Sequence, residues 1–471
     1  MTYTVEKIGG TSMSAFDAVL NNIFLRPESP YNRVFVVSAY GGITDALLES
    51  KRTGDPGIYQ LVAKREDGWI DAFAALKQRL VGINAEIFED TVSRARADKY
   101  ISARLDDAQN CITNILATCQ YGQFTLRQYL PQIREFLSSI GEAHSAFNTA
   151  LKLKSLGINA KFVDLSSWDD KFSGNLDEVI ACAFQDIDVK TELPIVTGYS
   201  YCDEGLMKTY DRGYSEMTFS RIASITKADI AIIHKEYHLS SADPRIAGPE
   251  NVLPIGQTNF DVADQLANLG MEAIHPNAAS GLRQANIPLQ IKNTFEPEHK
   301  GTLISQQYAP TREKIEIIAG KNKVFALQIF DQAMVGQVDN VGYEMMEIIY
   351  EERVSLIGKE MNANSITYYL SGATKNLNQL LYRAEKRFPN STITRHMVAL
   401  ISAIGAEINT NTTLSKGMLA LMSHDIAPIA VHSSMRNVNV QFVVKDDMYE
   451  NAIRALHEAF FARETVTKQI A

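Results

Sequence analysis

Cysteine is scarce in this chain, and the four present, Cys111, Cys119, Cys182 and Cys202, have no metal-ligand spacing. Cys111 and Cys119 lie within one predicted helix and read as core filler, so neither a disulfide framework nor a zinc site is expected. Long apolar runs are also missing. None reaches the roughly 18–20 residues that span a bilayer. The opening Met1-Thr2-Tyr3-Thr4 has neither a basic segment nor an apolar one behind it, so no signal peptide is expected and the reading is cytoplasmic. Positive charge is in deficit: 46 Lys and Arg stand against 55 Asp and Glu, a net charge of −9 with a pI near 5.6. An acidic surface of this kind disfavours nucleic acid and anionic membranes as partners. No metal site is assigned.

What the chain does have is the composition of a globular protein, 45% hydrophobic and 21% charged over 471 residues. That length calls for two or three domains. The stretch that organises the reading is Val5-Glu6-Lys7-Ile8-Gly9-Gly10-Thr11-Ser12. A short apolar run carrying one lysine breaks into two glycines and two hydroxyls. Glycines let backbone N–H groups approach an anion, and Thr11 and Ser12 can cap a following helix whose N-terminus favours negative charge. The lysine precedes the glycines, so this is not a Walker loop. A tight strand-to-helix turn accounts for the same residues, and both readings stand at this point.

Val34 to Ala39 is a β-branched run typical of a strand buried on both faces, and Tyr40-Gly41-Gly42-Ile43-Thr44 repeats the glycine turn. Two such units at the start predict a parallel α/β sheet with ligands at the strand C-termini. Helical periodicity takes over from about 54 to 155, with Trp69, Phe73, Leu76 and Leu80 on one stripe and Leu126, Leu130, Ile133 and Leu137 on another. Glu142 sits inside the second helical stretch. Strands return at 160–165 and 193–199. A polar loop then carries Tyr210-Asp211-Arg212-Gly213-Tyr214-Ser215-Glu216 toward a helix from Phe219. Arg212 and Glu216 form either a surface pair or a cation and anion for one zwitterion. A strand at 229–233 leads into the loop His234-Lys235-Glu236-Tyr237-His238-Leu239-Ser240-Ser241-Ala242-Asp243-Pro244-Arg245, and a last strand at 289–295 into a polar linker at 296–301. Beyond 312, strand, helix, strand, strand, helix, strand recurs twice, a ferredoxin-like pattern.

Taken in order, Lys7 to Ser12, Val37-Ser38-Ala39 with Gly42-Ile43-Thr44, Gly141-Glu142, Arg212 to Glu216, Ala242 to Arg245 and His275-Pro276 resemble the signatures of aspartate kinases, over essentially the whole chain. The resemblance implies an α/β three-layer sandwich around a mainly parallel sheet, with two C-terminal ferredoxin-like ACT modules. The implied domains are 1–300 for the kinase, with a helical part at about 55–155, then 312–390 and 391–471. It further implies ATP-dependent phosphorylation of the β-carboxylate of L-aspartate to 4-phospho-L-aspartate, the first step of the aspartate-family pathway. Mg²⁺ would enter with ATP.

On this reading Lys7, Gly9, Gly10 and Arg212 are catalytic. Ser38, Thr44, Glu142, Tyr199, Arg212, Ser215 and Glu216 hold aspartate. Lys7, Gly10, Thr11, Ser12, His234, Lys235, Ser240, Asp243 and Arg245 hold the nucleotide. A homodimer or larger assembly is implied, with an amino-acid effector near Asp331 to Gly336 and Asn362 to Ser365.

Two departures from the family pattern stand out. The nucleotide loop reads His234 to Ser240 in place of Thr-Asp-Val-Asp-Gly-Val-Tyr, and Glu272 stands where a lysine is common. Lys235 is the residue that would restore the missing charge. His234-Lys235-Glu236 and Met271-Glu272-Ala273-Ile274-His275-Pro276 look similar to a subgroup associated with ectoine biosynthesis. The competing readings are a kinase for another acidic amino acid and an amino-acid-binding regulatory protein with a decayed kinase domain.

Overall fold

The computed structural model describes residues 2–26, 28–50, 53–169, 172–271 and 274–468, with the side chains of Arg212 and 463–468 left aside. The chain falls into two compact units, Met1–Leu239 with Ile274–Gln306 and Ser240–Ala273 with Gln307–Ala471. None of the helices described is long and apolar enough to cross a membrane.

In the first unit the strands are β1 (Thr4–Ile8), β2 (Arg33–Val37), β3 (Ala160–Val163), β4 (Leu193–Thr197) and β5 (Ile230–Lys235). They stand side by side in the order β3-β4-β2-β1-β5, all parallel, and Leu289–Asn293 continues the sheet beyond β5. Thr302–Ile304 closes this row antiparallel. Val34, Phe35, Val36 and Val37 are fully buried, as a central parallel strand covered on both faces must be. β1 lies between β2 and β5, and on the β2 side β4 stands inside the edge strand β3. A crevice at the C-terminal ends of such strands is where α/β sheets bind ligands.

β1 departs from the apolar rule. By strand alternation Val5 and Lys7 face one side, while Thr4, Glu6 and Ile8 face the other. The helix Tyr214–Ile225 covers the Lys7 side. Long helices Trp69–Ile87, Thr91–Thr118 and Leu126–Ser155 form the block read from periodicity, with Phe73, Leu76, Leu80, Ile133 and Leu137 buried as the stripes require.

In the second unit two strands of unusual length, Ile317–Phe330 and Thr392–Ile404, pair antiparallel from end to end, with a register shift between Val398 and Leu400. Each strand serves two cores. Phe325, Leu327 and Ile329 pack with Ile348, Leu370 and Leu380. Ile318, Ile401 and Ala403 pack with Phe442, Val444 and Leu456. The doubled ferredoxin-like pattern is therefore real, but the two strand-like runs 315–319 and 324–329 in its first half belong to one strand, Ile317–Phe330. Lys321-Asn322-Lys323 between them does not turn the chain; Lys323 takes a left-handed φ of 53° within the strand. Strands Ser355–Met361 and Ala430–Ser433 escaped the sequence reading because they lie at sheet edges, where polar residues such as Lys359 and Glu360 are tolerated. Ala242 belongs to the second of these cores, so the segment 240–273 packs with C-terminal residues.

Candidate active site

Lys7 is 8% exposed, and its ammonium lies 3.3 Å from Glu216 Oε1. Glu216 reaches it because the helix starts at Tyr214, earlier than the expected Phe219, which puts the glutamate in the first turn. The other oxygen of Glu216 accepts a short hydrogen bond from the backbone N–H of His275. Burial alone would raise the Glu216 pKa. The charges of Lys7 and Lys235 and the His275 N–H outweigh it and hold the group below the ordinary range. Lys235 acts here because the strand extends through it. Ile233 pairs with Lys7 in register, so Ile233 and Lys235 share the Lys7 face.

Glu142 lies on the buried side of Leu126–Ser155 and is 2% exposed. Its carboxylate abuts Gly198, where an added Cβ would meet Glu142 Oε2 at 2.8 Å and Oε1 at 2.9 Å. Burial pushes its pKa up to about 8, although Lys7, the Tyr214 hydroxyl and the Tyr199 and Ala39 N–H groups pull it down. Oε2 has no hydrogen-bond partner among the described residues. A buried carboxylate oxygen left unmatched at the C-terminal end of a parallel sheet is shaped for a cationic group from outside. Ser38 and Ser215 stand nearby with hydroxyl oxygens 3.5 Å apart. Gly10 also has a steric reason, since a Cβ there would come within 2.6 Å of the Ala39 carbonyl oxygen.

The structure thus gathers Lys7, Gly10, Ser38, Glu142, Ser215, Glu216 and Lys235. Thr11 is exposed and Thr44 half-buried, each near the start of a short helix. Arg212 lies in the turn Asp211–Gly213, its side chain outside the described residues, as is the whole of Glu272.

The structure places several of the expected residues differently from what their local pattern implies. Thr11 and Ser12 do not cap; the cap is Gly9, without a side-chain bond, and both hydroxyl residues lie inside the helix Gly10–Ser14. Ser12 is fully buried and its hydroxyl accepts from Thr294. The Gly9 N–H, expected to face an anion, donates to the His234 carbonyl at 3.3 Å. His234 itself pairs with Ile8 in register, which turns its ring to the face opposite Lys7, where Nε2 lies 2.7 Å from Glu6 Oε2. Tyr199 directs its hydroxyl away to Glu135 at 2.9 Å. Ser240, Asp243 and Arg245 belong to the second unit. Asp243 caps Pro244–Ala247 and holds the Arg245 guanidinium at 3.1 and 2.7 Å, which lowers its own pKa.

Glu135 was not singled out from sequence, and His275 was read only as part of a signature, with no role at the site. Glu135 accepts from Tyr199 and from the N–H groups of Met207 and Lys208, capping from a distance the helix Leu206–Tyr210 that precedes the Arg212 turn. His275 caps Pro276–Gln284, and its ring fills the space a Cβ at Gly213 would occupy. The legible signal was Pro276, which holds His275 extended and fixes the N–H that meets Glu216.

The family description "Amino acid kinase family" matches residues 2–293. Aspartate kinase Ask_Ect of Stutzerimonas stutzeri (strain A1501) is 47% identical over 469 residues, covering 98% of each chain. Among solved structures, E. coli aspartokinase III in complex with aspartate and ADP (R-state) superposes with a TM-score of 0.74 at 18% identity, covering 98% of this chain and all of that one. The same enzyme with lysine and aspartate (T-state) gives 0.70, again at 18% identity.

Proposed function

The chain belongs to the amino acid kinase family, among its aspartate kinases, and from that premise we propose that it moves the γ-phosphoryl group of ATP onto the β-carboxylate of L-aspartate. The observation that supports this most is the unmatched oxygen of Glu142, buried within the field of Lys7. An α-ammonium group supplies the missing partner. The acceptor carboxylate ionises near pH 3.9 and needs no general base at neutral pH. What remains is alignment and the neutralisation of spread negative charge. Lys7 does that from β1, held in place by Glu216, which His275 anchors from the opposite side. Lys235 adds a second cation on the same face and takes the place of the family lysine replaced by Glu272. Mg²⁺ carried in by the nucleotide would offset the charge of its phosphates. Arg212 takes the α-carboxylate as a fork.

Because burial holds Glu142 protonated below about pH 8 in the free enzyme, the arriving ammonium ionises it. Aspartate binding then releases a proton at neutral pH. An N-acylated substrate carries no ammonium and leaves the carboxylate unmatched, which argues against that class of acidic substrate. The C-terminal sheet serves regulation by a small amino acid in a homodimer or larger assembly, and the protein works in the cytoplasm. Asp331 there caps Gln332–Met334 and accepts from Ser391 at 3.0 Å, which keeps the expected effector loop ordered.

The test uses purified protein, ATP–Mg²⁺ and hydroxylamine trapping of the acyl phosphate across a panel of acidic amino acids. Signal with aspartate alone is expected. A signal confined to another acid would transfer the assignment to that acid. Silence with every acid, together with tight amino-acid binding, would leave a regulatory protein instead.

A further inference from the structure

The reverse face of the same sheet carries charges that a doubly covered parallel sheet ordinarily avoids. Thr4 lies beside Arg33, and Ile8 beside His234, which lies beside Lys292. Together with Glu6 these residues share the face opposite Lys7. Arg33 holds both oxygens of Glu6, at 2.7 and 3.0 Å, and donates a further bond at 3.0 Å to the Ile23 carbonyl. His234 completes the trio at 2.7 Å. Well-packed apolar residues in place of such a buried group are commonly neutral or stabilising, so packing alone does not account for it.

Above these side chains lies a cavity of about 400 Å³. Arg26, Arg33 and Lys292 line it, with Glu6 as the single carboxylate among the described lining residues. Arg26 pairs with the exposed Glu298, and Lys292 has no ion-pair partner among the described residues. Ser29 and Tyr31 also line the cavity. The balance of charge favours an anion, and the volume suits a small one.

We propose that this cavity is a second ligand site, for a small anion with at least two negative charges, and that its occupancy reaches Lys7 and Lys235 through the strands. Phosphate esters and dicarboxylates share that chemistry. The route is short. Glu6 precedes Lys7, His234 precedes Lys235, and the His234 carbonyl accepts the Gly9 N–H at 3.3 Å. Any shift of the trio therefore moves the backbone that presents both cations.

The enzyme is first saturated with ADP, Mg²⁺ and aspartate, so that the catalytic site is filled. Inorganic phosphate and, separately, succinate are then titrated by calorimetry. Saturable binding of at least one is expected, weakened about tenfold or more in Lys292→Ala and in Arg26→Ala, as for loss of a charge-assisted contact. Both variants should keep wild-type turnover without added anion, which also reports their folding. Binding of phosphate alone assigns the phosphate esters, and of succinate alone the dicarboxylates. Binding of neither, or binding unchanged in both variants, overturns the site. In steady-state assays the bound anion should shift the KM for ATP at least about twofold in the wild type and leave Lys292→Ala unmoved. An unshifted KM would refute the transmission through the strands.

Discussion

The two faces of β1 solve opposite problems one residue apart. On the reverse face Glu6 is satisfied from every side, by Arg33, His234 and Thr4, and its carboxyl is held far below the ordinary range because those partners overcome its burial. On the front face Glu142 is as deeply buried, yet one of its oxygens is unmatched among the described residues and its pKa is pushed up to about 8. Partners, not depth, decide the sign of the shift. A saturated carboxylate holds structure together, whereas a hungry one marks where a ligand will complete the set.

The largest effect should come from removing the cation between the front-face carboxylates. Lys7→Ala is expected to lower kcat by at least about 100-fold in the hydroxamate assay, the scale of losing a preorganised charge donor. Near-normal turnover would erase the distinction between the faces. Next, Glu142→Gln should raise the KM for aspartate about 30- to 100-fold, in line with about 2–3 kcal/mol for a hydrogen bond to a charged group. In the wild type, kcat/KM for aspartate should rise with pH and level off above about 8, because the ammonium needs the ionised carboxylate. Glu142→Gln should flatten that limb, and an unchanged limb would assign it to another group.

Glu6→Gln tests the reverse face through stability. Leaving Arg33 unpaired should cost about 3 kcal/mol in urea unfolding, typical of breaking a buried pair. The sign with pH follows from the lowered pKa. The contribution of Glu6 is full above the unfolded carboxylate value of 4.5 and fades as pH falls below it. A variant equally stable at pH 7 would show the trio to be dispensable. The smallest change is expected from Lys235→Ala. A rise of about three- to tenfold in the KM for ATP, as for one partly screened charge, would make Lys235 the replacement cation, and no rise would leave Lys7 alone on that face.

Much of this was legible in the chain because the fold writes itself locally. The apolar run Val34 to Val37, the helical stripes through Phe73 and Ile133, and the glycine turn at Gly10 each carry their cause within a few residues. The gathering of Lys7, Glu142, Ser215 and Glu216 followed from motif order. Parity did not. Placing His234 in a loop hid the fact that a strand running to Lys235 must send neighbouring side chains to opposite faces. The burial of Ser12 was likewise hidden, because its partner, Thr294, lies 282 residues away. Glu135 had no local signal at all, since the N–H groups it caps belong to a helix distant in sequence.

The long strands Ile317–Phe330 and Thr392–Ile404 also dictate the timing of assembly. Ala242 leaves the ribosome early, but its packing partners Phe442 and Leu456 are made some two hundred residues later. The second unit therefore closes only after those residues have been made, and a chain cut short at about 390 would leave the 240–273 segment without those partners.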